Sequence, residues 1–231
     1  MSIRSVYLPQ PSIENDRVRI EGDEHQHLIV ARAETDEPLE IFDGKGNVWT
    51  AAVESVGKRE TVARVKTSRT VEADPLELIL ALSIIRLSAF ELALEKAVEV
   101  GVTRIVPVTA DRSNLPGNRQ DRWSRILIEA SKQSKHYYVP VLSPPATFEQ
   151  AISIPAASKI IFAERDGGPL KSALAGSPVL CLVGPEGGWT PRELSAAREG
   201  GFHAVSLGAA ILKAETAAIV GASLIRYELG K

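Results

Sequence analysis

From Leu76 onward, short apolar runs of strand length alternate with longer segments of helical period, and no other feature restricts the chain as much. The runs are "LELILALSI" (76–84), "RIVPV" (104–108), "KIIFAE" (159–164), "VLCLVG" (179–184) and "AVSL" (204–207). Helices are predicted from Ala89 to Val100, Arg119 to Lys135, Pro191 to Glu199 and about Lys213 to Tyr227. Alternation of this kind implies a parallel sheet covered by helices. Ligands of such sheets sit outside the carboxyl ends of the strands, so the loops after "IIFAE", "LCLVG" and "AVSLG" are where a site is expected.

The first 71 or so residues have a different rhythm, with short β-branched runs punctuated by Gly and Asp. Period-two alternation in "RVRIE" and "VWTAAVESV", with the turn "DGKGN" between "LEIF" and "VWTA", predicts the hairpins of a small β-barrel. One helix is expected there, Glu24 to Arg32. The stretch "SRTVEADP" reads as a linker, because Pro75 has no N–H for a sheet and pushes the residue before it away from helix. The boundary is placed near Ala73, giving domains 1–73 and 74–231.

Length and composition suit a globular chain of one or two domains: 231 residues, 44% hydrophobic and 24% charged. The longest apolar stretch, Leu76 to Leu87, is broken by Glu77 and Arg86 and is too short to span a bilayer. The N-terminal segment lacks the apolar run of a secretory signal, so a cytoplasmic location without membrane association is expected. A single cysteine, Cys181, excludes a disulfide framework or Cys-based zinc cluster within the chain. A net charge of −2 gives no global basic signature, so nucleic-acid binding requires a local patch. His25 and His27 beside Asp23 and Glu24 have ligand-like spacing, but a surface turn leading into the predicted helix is the preferred reading and no metal is expected.

Two segments carry the chemistry. "LVGPEGGWTPRE" joins an apolar strand to a helix starting at Pro191, with Thr190 as its N-cap. Its glycines let backbone groups approach a ligand, although a tight structural turn explains them equally well. Neither a Walker loop nor a GxGxxG fingerprint can be placed, which argues against phosphate cradling and against a nucleotide-dependent oxidoreductase. "SLGAAILKAETAAIVGA" ends a strand at Leu207, turns at Gly208 and enters an Ala- and Ile-rich helix. Taken alone, its Lys213 and Glu215 are a solvated first turn, with Glu215 well placed at the positive end of the dipole.

In this order the two segments resemble the paired signature of the SPOUT-class ribosomal RNA small subunit methyltransferase E family: a GPEGG loop, then LG, an IL-basic pair and ETA. "LEKAVEVGVTRIVPV", "RWSRILIEASKQSKHYYVP", "EGDEHQHLIVAR" and "IFDGKGNVWTA" are similar to further family segments, so the resemblance covers nearly the whole chain. It implies a PUA-like RNA-binding barrel followed by an α/β SPOUT domain with a C-terminal trefoil knot, acting as a homodimer. The implied reaction is S-adenosyl-L-methionine (SAM)-dependent methylation of uracil N3 at a uridine, 1498 in standard numbering, of 16S rRNA in the small ribosomal subunit. Action on another RNA or on ribose, and a non-catalytic assembly factor that has kept the fold, are the alternatives. The chain departs from the family pattern where Lys213 and Lys135 stand for Arg, keeping the charge but not the bidentate geometry. Ala31 also stands for Leu, and Asp36-Glu37 for Gly-Asp.

On the resemblance, SAM is expected to rest on Leu182, Val183, Gly184, Glu186 and Gly188 from one segment. The other segment supplies Ser206, Leu207, Gly208, Ile211, Leu212, Thr216 and Ala217. Uracil N3 is a poor nucleophile until its proton leaves, so a base or an anion stabiliser is needed. Glu186, Lys213, Glu215 and Thr216 are the candidates, Glu186 or Glu215 as base and Lys213 as stabiliser. Arg112, Arg119, Arg122, Arg125, Lys132 and Lys135 form the candidate RNA grip, with Arg4 and Arg32 in the barrel. Trp189 is expected to cover the cofactor or a flipped base, and Trp49 and Trp123 to lie in cores.

Overall fold

The computed structural model of the chain describes residues 3–114, 117, 119–163 and 167–230. It divides into two compact units, Met1–Ala73 with Ser131–Val139, and Asp74–Ala130 with Pro140–Lys231.

In the first unit, β1 (Arg4–Tyr7), β2 (Ile13–Glu14), β3 (Arg17–Ile20), β4 (Pro38–Phe42), β5 (Asn47–Val56) and β6 (Thr61–Thr70) form one six-stranded sheet of order β1-β4-β5-β6-β3-β2, and α1 spans Gly22–Val30. The pairings are antiparallel except that of β1 with β4. The turn between β4 and β5 is closed as "DGKGN" predicts, by Asp43 accepting the N–H groups of Lys45 and Asn47 at 2.8 and 3.1 Å. Alternation along β3 buries Val18 and Ile20 with Val6, Leu39, Ile41, Val53 and Ala63, and Leu28 of α1 joins them. His25 departs from the expected surface turn: it lies on α1, is 1% exposed, and its Nδ1 is 2.9 Å from the Thr61 hydroxyl. The 131–139 segment belongs to this unit and is hydrogen-bonded to it. Gly46 N–H donates to the Tyr137 carbonyl at 3.0 Å, and the Tyr138 hydroxyl to the Val71 carbonyl at 3.0 Å.

The second unit contains β7 (Leu78–Ser83), α2 (Leu87–Glu99), β8 (Arg104–Thr109) and most of α3 (Gln120–Ser134). It continues through β9 (Val141–Leu142), β10 (Ala146–Thr147), α4 (Phe148–Ile152), β11 (Ser158–Phe162), β12 (Val179–Val183), α5 (Pro191–Glu199), β13 (His203–Val205) and α6 (Ala214–Leu229). All the strands pair in parallel in the order β10-β8-β7-β12-β11-β13, with β9 beside β8. Every residue of β7 and of β12 is buried, as expected of strands covered on both faces. The predicted strand 159–164 ends at Phe162, and its Glu164 lies outside the described residues. Strands β9 and β10 and helix α4 had no expectation, although Thr147 and Gln150 form a capping box that the sequence "TFEQ" spells out.

Helix α6 buries Ala214, Ala218, Gly221, Ala222 and Ile225, a stripe of mostly small residues at helical spacing, and packs on α2, β7 and β12. Connections from β7 lead to β8 on one side, whereas β12, β11 and β13 lie on the other. The sheet therefore changes direction between β7 and β12, the kind of place where open α/β sheets bind ligands. No helix among the described residues is long and apolar enough to cross a membrane.

Leu80 is fully buried at the middle of β7. Leu80→Ala is expected to destabilise the chain by about 2–5 kcal/mol, read as a lower urea midpoint for loss of helical circular dichroism.

Candidate active site

A cavity of about 510 Å³ opens off the carboxyl ends of β11, β12 and β13, within the second unit. Phe162, Val183 and Val205, the last residues of those three strands, all line it. The size is that of a small-molecule site, roughly 300–1,000 Å³. The glycine segment Gly184–Trp189 forms one wall, and Ser206, Leu207, Gly208 and the stretch entering α6 form another.

The glycine segment takes its shape from local chemistry. Thr190 caps α5 in a capping box with Glu193, and Pro191 supplies the fixed φ of the first helical turn. Just before the cap, Gly188 has φ +67°, a left-handed conformation that a side chain would strain, and its N–H donates to the Pro185 carbonyl at 2.9 Å. The backbone of this segment is thus turned along the cavity wall. Across from it, Lys213 is the N-cap residue of α6 and Glu215 is in the first turn.

Of the residues expected to hold a cofactor, Val183, Gly184, Glu186, Gly188, Ser206, Leu207, Gly208, Ile211, Leu212 and Ala217 lie on the wall, as do Lys213 and Glu215. Leu182 and Thr216 do not. Leu182 belongs to the core packed under α4 and α5, because alternate residues of β12 face opposite sides of the sheet. Thr216 is half-buried on α6 between the lining residues Glu215 and Ala217 and does not itself line the cavity. Arg86, Phe162 and Leu194 were not anticipated. Arg86 and Phe162 stand at or just beyond the carboxyl ends of β7 and β11, the positional signal that parallel-sheet logic offers.

Charges of both signs share the wall. Glu186 Oε1 accepts the Arg86 backbone N–H at 3.1 Å and lies 3.5 Å from its guanidinium. Arg112 donates from Nη1 to the Gly187 carbonyl at 2.6 Å. The carboxylate of Glu215 and the ammonium of Lys213 have no hydrogen-bond or ion-pair partner among the described residues. Trp189 is a wall element: its indole N–H donates to the Phe162 carbonyl at 3.0 Å and its ring packs 5.3 Å from that of Phe148. Cys181 is fully buried in β12, and burial pushes its thiol up to about 12, which removes it from any nucleophilic role.

The basic residues expected to grip RNA fall in both units. In the first unit, Lys132 pairs with Glu24 at 2.9 Å, and Lys135 bonds the Ile3 carbonyl, Ser5 and Glu40 at 2.7–3.1 Å. Arg4 in the same unit pairs with Glu37 and donates to the Ala31 carbonyl at 3.0 Å, and its hydrogen bond holds the Glu37 carboxyl below its ordinary value. Arg32 is exposed with φ +52°. In the second unit Arg119 and Arg125 are exposed, and Arg122 pairs with Glu91 at the surface.

The family model described as an RNA methyltransferase domain matches residues 72–226. The chain is 31% identical to the ribosomal RNA small subunit methyltransferase E of Synechocystis sp., over 97% of this chain and 77% of that one. It is 27% identical to the protein of that name from Rickettsia conorii, over 98% and 96%. The chain belongs to the ribosomal RNA small subunit methyltransferase E family. Its fold is similar to the crystal structure of a family member from Neisseria gonorrhoeae bound to S-adenosyl methionine, with TM-score 0.93, 32% identity, and 99% and 98% of the two chains covered. A Legionella pneumophila methyltransferase in complex with SAM has TM-score 0.92 at 26% identity, covering 98% of each chain.

The wall of this family member's cavity depends on one helical glycine. A Cβ at Gly221 of α6 would stand 2.5 Å from the Phe162 ring, which lines the cavity. Gly221→Ala is expected to cost about 1–3 kcal/mol through overpacking. It should also move the Phe162 ring and perturb Trp189 fluorescence, since the Phe162 carbonyl holds that indole.

Proposed function

We propose that the chain methylates N3 of a specific uridine of 16S rRNA in the small ribosomal subunit, with SAM as methyl donor. The observation that carries this reading is the cavity at the ends of β11, β12 and β13, where Lys213 and Glu215, without a partner among the described residues, stand beside two glycine-bearing segments. The lining fits SAM. Ile211, Leu212, Val183 and Val205 offer apolar surface to an adenosyl group, the peptides of 184–188 and 206–208 offer hydrogen bonds, and carboxylates stand near enough to face cationic groups. When bound, SAM supplies an electrophilic methyl on a sulfonium.

The remaining work falls to this chain's residues. Glu215 accepts the N3 proton of the uracil, a role better suited to it than to Glu186, whose Oε1 is already engaged by Arg86. Lys213, extending from the N-cap of α6, stabilises the negative charge that spreads to the pyrimidine oxygens as that proton leaves. Thr216 and Leu182 do not touch the reactants.

The first unit is a PUA-like barrel that binds RNA, and the second a SPOUT domain with a trefoil knot. Support comes from the six-stranded sheet and the all-parallel sheet ending in α6. RNA phosphates engage Arg32, Arg119, Arg122 and Arg125. The Arg122–Glu91 pair is at the surface, where ion pairs are worth little, so its guanidinium exchanges readily onto a phosphate. Arg4, Lys132 and Lys135 serve the first unit's own framework. A second copy covers the exposed Leu224 and Tyr227 of α6, giving a cytoplasmic homodimer.

Methyl transfer from labelled SAM to small subunits and to naked RNA, followed by nucleoside identification, tests the reading, with 3-methyluridine the expected product. Lys213→Ala is expected to lower kcat by roughly 10²-fold. Full turnover by that variant removes Lys213 as stabiliser, and a ribose-methylated product overturns the proposed target atom. RNA affinity should fall steeply with salt, and a flat response would dismiss the basic surface.

A further inference from the structure

Glu193 is a charged side chain with 1% exposure, and none of the chemistry above uses it. A buried carboxylate is costly unless its acceptor positions are filled. Here Oε2 accepts the Thr190 backbone N–H at 2.8 Å and lies 2.9 Å from the Thr190 hydroxyl. These contacts complete the capping box of α5. The other oxygen does something a cap does not require: Oε1 accepts the backbone N–H of Asp111 at 3.0 Å, from a segment 82 residues earlier in the chain. Asp111 follows β8, and its own carboxylate takes the Arg192 guanidinium at 2.9 Å.

The next residue is Arg112. Its guanidinium reaches the Gly187 carbonyl at 2.6 Å, and its methylenes lie so close that a Cβ at Gly187 would stand 3.1 Å from Cδ. One buried carboxylate thus holds both the helix that ends the glycine segment and the backbone that carries the arginine clasping that segment. Arg112 was expected to grip RNA, yet its guanidinium is committed to the cavity wall.

We propose that Glu193 is a positioning residue for methyl transfer, pinning Asp111 so that Arg112 fixes the Gly187 peptide in the shape that receives SAM. The proposal rests on the cavity being the SAM site. Substitutions along the chain Glu193, Asp111, Arg112, Gly187 therefore act through one loop conformation. They alter cofactor affinity more than the chemical step.

The test compares Arg112→Ala, Arg112→Lys, Glu193→Gln and the double variant Arg112→Ala/Glu193→Gln. SAM affinity is read by calorimetry, kcat and KM on small subunits by labelled methyl transfer, and the unfolding midpoint separately. Glu193→Gln keeps the shape but turns an amide donor toward donors. Arg112→Ala and Glu193→Gln are each expected to weaken SAM binding by about tenfold with kcat at saturating SAM within about twofold of wild type. The double variant should bind no worse than Glu193→Gln alone, since both act on one clasp, and Arg112→Lys should recover part of the loss. A purely structural Glu193 would lower the unfolding midpoint and leave SAM affinity unchanged, overturning the proposal. Multiplying effects in the double variant would also overturn it. Should Glu193→Gln fail to fold, the exposed Arg112→Ala decides alone: wild-type affinity in that variant overturns the clasp. A wild-type chain that binds no SAM removes the functional reading itself, whereas wild-type binding with Arg112→Ala unaffected removes this inference only.

Discussion

Strand β12 lies between β7 and β11 with no residue exposed, so its backbone N–H and C=O groups are satisfied by both neighbours. That double pairing fixes the register of three parallel strands at once: Val183 is set beside Leu82, and Leu182 beside Ile161. Because the strands are parallel, their carboxyl ends emerge on one side, and the chain segments leaving them converge. The cavity follows from this convergence. Phe162, Val183 and Val205 form its floor, and the loops that continue from them form its sides.

On that floor, the two wall segments are shaped by different means. The glycine segment between β12 and α5 is closed by the Thr190–Glu193 capping box, and Glu193 and Arg112 fasten it to the loop after β8. The second segment is held by the close approach of α6, whose Ala, Ala, Gly, Ala stripe lets the helix lie against β7 and β12. Small residues on that stripe leave room for the Phe162 ring, whose carbonyl in turn holds Trp189. Lys213 and Glu215, without a partner among the described residues, are thus presented from the start of that helix. Preorganisation of that kind is what a reaction limited by positioning requires.

Among the described residues, Glu193 is a buried carboxylate. Glu193 is stabilised by three donors and the start of a helix, which makes a fully buried carboxylate tolerable. Most other ion pairs are at the surface, where each is worth little. Lys132–Glu24 is the better shielded case, with both side chains about one-tenth exposed, and it belongs to the framework of the first unit.

The sequence by itself determined the strand-and-helix alternation of the second unit, since apolar runs of strand length such as 179–183, set between segments of helical period, suit strands covered on both faces. It also determined the start of α5, because Thr190, Pro191 and Glu193 act within one turn. The two segments that border the cavity were legible for the same reason, being contiguous in the chain. What the tertiary structure decided are relations between residues far apart in sequence, to which local pattern is blind. Alternation along β12 turned Leu182 away from the cavity, and on α6 Thr216 lies between the lining residues Glu215 and Ala217 without lining it. Lys132 and Lys135, read within one charge run, and Arg4, read as a separate candidate in the barrel, are paired with carboxylates and carbonyls of the first unit, because a cation's partners depend on which acceptors the fold brings within about 3 Å of it. Arg112, read as one more basic residue, became a clasp on Gly187 only once β8 and β12 were placed in one sheet with β7 between them.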